Sequence, residues 1–232
     1  MATTAKKETV AIRPIKLKKV PIRIVGDSPL ITHAWSEKAK RQMLEDQQKK
    51  TKTKKKPYRY PFDDFARSLH WLTPMPTEVI TDPNTGDERE IVTEELFDEA
   101  ITNGARFGFS ANAFKIAGNA AAYRMEWVPN QTKLRGAYFL NAEDGGELVE
   151  IKGCTPMCRE DMVKLQGTSS DLRYRAIFEE WYCDMVLEFN ESGAYKLDDI
   201  LTIIEAGGYV TGVGEWRPER DGIFGRYHIE RK

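Results

Sequence analysis

Four stretches of the chain alternate between apolar and polar residues, with the two-residue period that is typical of a half-buried β-strand. They cover residues 20–26, 134–141, 181–189 and 223–230. The second stretch is followed by the turn sequence Asp-Gly-Gly and a short β-prone run at 147–151. These two runs are therefore predicted to form a β-hairpin.

Helical periodicity separates these strands. Residues 110–125 repeat apolar and small side chains every three or four positions, which predicts a helix packed closely on a sheet. Residues 197–206 show the same spacing, and Gly207-Gly208 is predicted to end that helix. Residues 154–180 are predicted to be irregular, apart from one alternating run. Further predicted elements are a surface helix at 36–48, a short helix at 62–72, a hairpin at 78–92 and a helix at 93–103.

The long elements follow one another in the order β-α-β-β-α-β. This order predicts an α+β fold with a ferredoxin-like (RRM-like) core that carries insertions. We expect a flexible N-terminal arm at residues 1–15 and a single domain at 16–232. The insertions are placed at about residues 34–105 and 142–180.

Composition narrows the class of protein. The 232 residues are 41% hydrophobic and 31% charged, which is typical of a soluble globular protein. No apolar run has the length of a membrane span, and the first residues lack the apolar segment of a secretory signal. Three cysteines favour a reducing compartment, so a cytoplasmic location is predicted. Cys154 and Cys158 have no second ligand pair, so no metal site is predicted.

The net charge of −1 conceals a strong asymmetry. The first 60 residues hold 17 basic and 5 acidic side chains, which leaves 18 basic and 31 acidic side chains for the rest. Such a division is typical of a protein with a basic surface for nucleic acid or membrane, or with complementary surfaces that associate head to tail. An association of the second kind that does not close generates a helical filament.

A glycine-rich stretch between the second long helix and the last strand is the main candidate site. Glycine lets backbone N–H groups approach an anion or a second backbone, while an indole and guanidinium groups stack on bases and bind phosphates. The alternative is a long turn that closes the sheet, with Trp216 as a core residue. The residues concerned are Gly207, Gly208, Gly212, Gly214 and Gly222, with Trp216, Arg217 and Arg226.

A lysine-rich segment with tyrosines behind it is the second candidate. It suits a phosphate backbone with bases stacked on tyrosine. The alternative is a solvated loop whose charge keeps the protein soluble. The candidate residues are Lys50, Lys52, Lys54, Lys55 and Lys56.

Two further groups of cations complete the predicted site. Arg173, Tyr174 and Arg175 alternate as in a strand, which would point both arginines to one face as a phosphate grip. Salt bridges to nearby acids are the alternative. Lys115 is predicted to lie with Asn112 and Asn119 on the outward side of the helix at 110–125, within reach of a partner.

The stretch GGYVTGVGEWRPERDGIFGR at residues 207–226 resembles the glycine-rich signature loop of the RAMP superfamily of CRISPR proteins. The Ser28-Pro29-Leu30 turn after the first strand is similar to the subunit of that family that polymerises along guide RNA. The resemblance in the order of elements covers most of the chain, and the resemblance in motifs covers its ends. It implies a filament-forming, single-strand-binding protein of a prokaryotic cell, encoded by a phage and acting alone, whose insertions touch neighbouring subunits.

We therefore predict a non-enzymatic protein that binds single-stranded DNA or RNA, associates with itself head to tail, and needs no cofactor and no membrane. Walker and dinucleotide-binding sequences are absent. One alternative is a RAMP-type endoribonuclease, for which His33, Asp63, Asp64 and His228 are the available side chains. The other is a phage structural or assembly protein that does not bind nucleic acid.

Overall fold

The protein is described here by a computed structural model, which covers residues 14–34, 44, 55–164 and 170–230. The predicted N-terminal arm and the predicted surface helix at 36–48 fall almost entirely outside the described residues. Within those ranges the chain forms a mixed α/β structure with four α-helices and several antiparallel sheets. None of the helices in these ranges is long and apolar enough to cross a bilayer.

The helices and strands follow the chain in an order that includes every long element expected from the periodicity. They are β1 (Leu17–Gly26), β2 (Leu30–Thr32), α1 (Pro61–Ala66), β3 (His70–Trp71), β4 (Glu78–Thr81), β5 (Glu88–Ile91), α2 (Glu94–Thr102), β6 (Phe107–Ser110), α3 (Ala111–Arg124), β7 (Tyr138–Asn141), β8 (Leu148–Glu150), β9 (Met157–Lys164), β10 (Ser170–Phe178), β11 (Tyr182–Asn190), α4 (Leu197–Ala206) and β12 (Tyr227–Ile229).

The main sheet contains four antiparallel strands in the order β12-β1-β11-β7. Strand β11 shows why these segments are strands: Cys183, Met185, Leu187 and Phe189 are buried, and the residues between them are half-buried. Helix α3 packs beside β7, α4 packs beside β12, and the two helices contact each other. The alternation places one face of the sheet under the helices and leaves charged residues on the other.

Three smaller antiparallel sheets surround the main one: β2-β10-β9, β3-β6-β8, and the hairpin β4-β5. The first two share the hydrophobic cluster of the main sheet, to which they contribute Leu30, Phe178, Phe107 and Val149. The inserted elements contribute its aromatic part, in which Phe65, Trp71, Phe97 and Phe107 pack ring against ring. The insertions are therefore continuous with the core.

Two predictions about strand pairing were wrong. The turn after β7 forms, since Gly145 donates to the Ala142 carbonyl at 2.9 Å, but β7 pairs with β11 and β8 pairs with β6. The segment predicted to be irregular contains β9 and β10, which form a long hairpin. Its strands also carry polar side chains on the partly buried face, and this hides the two-residue period.

Element ends differ from the predictions at three places. The helix predicted at 62–72 ends at Ala66, and β3 follows it. Gly207 and Gly208 do not end the helical path, because the chain continues from α4 into one π-helical turn at Gly207–Thr211. The last strand is limited to Tyr227–Ile229.

Candidate nucleic-acid interface

The glycines of the stretch 207–226, which we call the glycine-rich loop, face the protein itself. A side chain at Gly208 would overlap the Tyr227 carbonyl, and one at Gly207 would lie 2.6 Å from the backbone nitrogen of Gly118. The remaining candidate glycines are equally enclosed: Gly212 lies against Pro218 and Arg217, Gly214 against Ile31, and Gly222 against Trp216. The absence of side chains thus serves close packing within the molecule. The glycines therefore agree with the alternative prediction, a turn that closes the sheet, better than with a backbone that is exposed to bind a ligand.

Trp216 projects from this packed loop and is not a core residue. It is 41% exposed, and its φ of 52° lies in the left-handed region that bulky residues avoid. The Trp216 carbonyl accepts a hydrogen bond from the Phe224 N–H at 3.1 Å, which fixes the backbone on both sides of the loop. A residue held in this conformation costs about 1–3 kcal/mol.

Arg217 is committed to contacts within the loop. Its Nε and Nη2 donate to the Glu219 carboxylate at 2.9 and 2.7 Å, and its Nη1 donates to the Gly214 carbonyl at 3.0 Å. Glu219 also accepts from Arg124 at 2.7 Å. Burial raises the pKa of Glu219, but the hydrogen bonds and charges of Arg217 and Arg124 outweigh burial and lower it. Arg217 therefore braces the loop and is not a free cation.

Arg226 is exposed and makes no ion pair with any described residue. Its backbone is fixed, since Asp27 N–H donates to the Arg226 carbonyl at 2.8 Å and Arg226 N–H donates to Ser28 Oγ at 3.0 Å. The guanidinium group is available to a ligand, on a backbone that does not need to reorganise.

The β9–β10 hairpin places Arg173 and Arg175 on one face, as the alternation predicted. Arg175 is only 3% exposed, and its guanidinium pairs with Asp161 at 3.2 Å and with Glu215 at 3.6 Å. Arg173 is more exposed, with its Nε 3.8 Å from Asp171. The two arginines predicted to bind phosphate are thus partly engaged in salt bridges, which is the alternative given in the sequence analysis.

Tyr174 lies on the opposite face of the same strand. The guanidinium group of Arg59 is 5.4 Å from the centre of its ring and also pairs with Asp171 at 3.1 Å. A hydrogen bond to Glu160 raises the pKa of the Tyr174 hydroxyl, and burial adds to that effect. Tyr174 is therefore separated by the sheet from the two arginines that flank it in sequence.

The hairpin and the glycine-rich loop meet in one surface. The Glu215 N–H donates to the Ile31 carbonyl at 2.9 Å, and the Arg159 guanidinium lies 4.9 Å from the centre of the Phe224 ring. We call the side chains gathered here the arginine–tryptophan surface, and it consists of Arg159, Arg173, Trp216, Phe224 and Arg226. Arg159 and Phe224 were not predicted as site residues. Arg159 lies in the segment expected to be irregular, so no sequence pattern placed it opposite Arg175.

Lys50, Lys52 and Lys54 lie outside the described residues. Lys55 and Lys56 are exposed and have no ion pair with the rest of the described chain. The segment is fixed just after them, because the Asp82 carboxylate accepts from the Tyr58 N–H at 3.0 Å and the Asn84 side chain donates to the Lys56 carbonyl at 3.3 Å. The lysines therefore emerge beside the tip of the β4–β5 hairpin. The Tyr58 ring behind them is 47% exposed.

Lys115 does not belong to this surface, and the prediction that it faces outward with Asn119 was wrong. Both residues are buried, and Lys115 Nζ donates to the Arg135 carbonyl at 2.7 Å and lies 4.2 Å from the centre of the Phe139 ring. Burial lowers the pKa of the Lys115 ammonium group. Its helix packs beside β7, the edge of the main sheet opposite to β12.

The open face of the main sheet is covered by paired charges. Arg23 binds Asp184 through Nε and Nη2 at 2.7 and 3.2 Å, and Lys152 binds the same carboxylate at 3.0 Å. Hydrogen bonding from Arg23 lowers the pKa of Asp184 most strongly. Lys19 pairs with Glu188 at 3.2 Å. With its cations neutralised in this way, the face offers little to a polyanion.

The four side chains considered for nuclease chemistry are dispersed. Asp63 is buried in ion pairs with Arg67 and Arg89, and Asp64 pairs with Arg59. His228 bonds Asp27 at 2.6 Å, and burial lowers the pKa of His33, with the Arg175 charge adding to the effect. Across the described ranges, no group of three or more His, Cys, Asp or Glu side chains could hold a metal ion.

Comparison of the chain with known proteins returned no match, neither to a family model nor to a curated protein.

Proposed function

We propose that the protein is a non-enzymatic, single-stranded nucleic-acid-binding protein that associates head to tail along the strand. The observation that carries the proposal is Trp216: a large indole held outward at a φ of 52° and 41% exposed. The backbone conformation at Trp216 is unfavourable, and the indole is not buried in a way that would offset its cost. Such strain concentrates at ligand-binding positions, and an exposed indole is a stacking platform for any base.

The surroundings of Trp216 supply the charge that a strand requires. Arg226 is unpaired within the described ranges, and Arg159 and Phe224 present a guanidinium group over a ring. Guanidinium groups bind phosphates through parallel hydrogen bonds and also stack on bases. The lysine-rich segment with Tyr58 adds a second cationic and aromatic region.

We also propose that β1, α3, β7, β11, α4 and β12 form a ferredoxin-like core of the RAMP type. Supporting this are the order of the six elements and the position of their strands in the sheet. The last strand lies beside the first, and the third lies between the first and the second, with all neighbours antiparallel. A β-α-β-β-α-β chain with both helices on one face closes in this way.

Self-association is supported by an acidic surface and an apolar surface that belong to segments other than the lysine-rich one. Helix α2 and the β4–β5 hairpin expose a series of acids that make no ion pair with any described residue. On the β9–β10 hairpin, Met162 and Leu172 stand opposite each other and are 71% and 41% exposed. The acids of α2 on one copy complement the lysine-rich segment of the next, and the exposed apolar pair offers a second contact between copies. The acids are Glu78, Glu88, Glu94, Glu95, Asp98 and Glu99.

The proposal is tested by gel filtration with and without single-stranded oligonucleotides of DNA and RNA, recording mass and absorbance ratio. We expect complexes whose mass grows with the length of the strand, and an affinity that falls steeply with salt and depends little on base sequence. A protein that stays monomeric and binds neither oligonucleotide at low ionic strength would overturn the proposal. Oligomers that exclude both oligonucleotides would instead favour an assembly protein.

A further inference from the structure

Arg175 has fewer hydrogen bonds than a buried guanidinium group needs. Its side chain is 3% exposed and carries five N–H donors, yet it donates one hydrogen bond to the described residues, from Nη1 to Asp161 at 3.2 Å. Nη2 lies 3.6 Å from Glu215, beyond hydrogen-bond distance, and Nε is buried without any partner among the described residues. Buried donors without partners are rare in proteins, and a bound water, ion or ligand is one of the ways in which such a donor is satisfied.

Positive charge is concentrated around this group. Arg159 stands directly opposite Arg175 in the β9–β10 pairing, and Arg173 lies on the same face of β10. Like charges in opposed positions destabilise a sheet unless an anion lies between them. Asp161 is such an anion for two of these three arginines, because it binds Arg159 at 2.9 Å as well as Arg175. Burial lowers the pKa of the nearby His33 ring, and the charges of Arg175 and Arg173 add to the effect.

The two carboxylates that face Arg175 differ in how firmly they are held. The Asp161 side chain is 7% exposed and is bound by two arginines. The Glu215 side chain is 41% exposed, makes no ion pair with the described residues other than this 3.6 Å contact, and extends from the glycine-rich loop next to Trp216. A partly exposed carboxylate is easily displaced into water, whereas Asp161 is not.

We propose that Arg159, Arg173 and Arg175 form a binding site for a single phosphate group, and that the Glu215 carboxylate occupies this site in the absence of ligand. A phosphate presents more acceptor oxygens than a carboxylate and can satisfy Nη2 and Nε of Arg175 together with Arg173. Because Glu215 adjoins Trp216, a strand that stacks a base on the indole brings a phosphate to the same place. As part of a surface that binds a strand, the site rests on the proposed function.

The test compares Glu215→Gln with Glu147→Gln, which removes the same charge from an exposed position just before β8. Binding of inorganic phosphate is measured by isothermal titration calorimetry, and binding of a short oligothymidylate by fluorescence anisotropy. We expect Glu215→Gln to bind phosphate about two- to fivefold more tightly than wild type, which corresponds to a partly exposed ion pair. The double variant Glu215→Gln/Arg173→Gln should lose this increase in phosphate affinity.

Equal phosphate affinities for Glu215→Gln and Glu147→Gln would overturn the phosphate site. If wild type binds the oligothymidylate and Glu215→Gln does not improve on it, the strand binds elsewhere and the proposed function stands. If Glu215→Gln binds phosphate more tightly but no variant binds the oligothymidylate, the site is real and the proposed function is wrong.

Discussion

At the scale of the residue, Trp216 combines an unfavourable backbone conformation with an exposed ring. The two properties can be separated by substitution. Glycine and alanine both remove the indole, but only alanine keeps the Cβ that makes a positive φ costly. We expect Trp216→Gly to be more stable than Trp216→Ala by about 1 kcal/mol in chemical denaturation.

Both variants should bind single strands more weakly than wild type, and to the same extent, because both remove the same indole. Anisotropy titrations with a labelled oligonucleotide measure this. If stability falls sharply in both while binding is kept, Trp216 has a structural role only.

The glycines of the loop make a second residue-scale prediction. Gly208→Ala places a methyl group on the Tyr227 carbonyl, so it should lower the free energy of unfolding by about 2 kcal/mol or more. Gly136 is a matched control, since a Cβ there meets nothing within 4 Å. Gly136→Ala should leave stability unchanged or raise it by up to about 1 kcal/mol. Equal effects of the two changes in thermal denaturation would mean that the loop does not pack on β12.

At the scale of the element, Asp82 joins the β4–β5 hairpin to the lysine-rich segment. Its carboxylate accepts hydrogen bonds from the backbone N–H groups of Tyr58, Asn84 and Thr85 and from Arg89. Burial acts to raise the pKa of Asp82, but these hydrogen bonds outweigh it and lower the pKa to about 2. The carboxylate is thus the ionised centre that holds two segments together.

A carboxyl whose pKa is lowered by folding stabilises the structure above its unfolded pKa. The stabilisation disappears as pH falls through the folded value. We therefore expect the junction to be intact at neutral pH and to loosen between about pH 4 and pH 2. Hydrogen exchange of the Tyr58, Asn84 and Thr85 amides, followed by mass spectrometry as the pH is lowered, measures this. Protection that is unchanged down to pH 2 would contradict the assignment.

Asp82→Asn should loosen the same junction at neutral pH, because an amide cannot accept as many hydrogen bonds as a carboxylate. Trypsin should then cleave more rapidly after Arg59, which follows Tyr58. Asp87→Asn is the control: it removes the same charge from the same turn, and the Asp87 carboxylate accepts no hydrogen bond from a described residue. Equal cleavage in the two variants would show that Asp82 does not hold the segment.

At the scale of the whole molecule, charge is divided between a basic N-terminal region and an acidic remainder. If the lysine-rich segment binds phosphates, replacing its five candidate lysines by glutamine reduces the number of counterions that binding releases. The slope of log affinity against log salt should then become less steep by nearly one unit for each phosphate that is no longer neutralised. Titrations at several salt concentrations measure the slope, and an unchanged slope would exclude the segment from the interface.

Much of the main sheet and its helices could be predicted from the sequence because periodicity is a local property. The alternation in β11 and the three- and four-residue spacing in α3 record which side of each element is buried. The same reasoning failed for Lys115, whose position on α3 predicts exposure. Arg135, which lies beyond the end of the helix, accepts the hydrogen bond of Lys115 there, and the period within the helix contains no information about that contact.

The sequence by itself therefore determined the long strands, the two main helices, the charge asymmetry and the candidate arginines and tryptophan. The tertiary structure decided which of these groups remain available. It enclosed the glycines, tied Arg217 to Glu219, buried Arg175 beside Asp161 and brought Arg159 next to Phe224. The Arg217–Glu219 pair joins residues only two positions apart. The other outcomes depend on interactions between separate segments of the chain, and a local pattern contains no information about which carboxylate of another segment will meet a given cation.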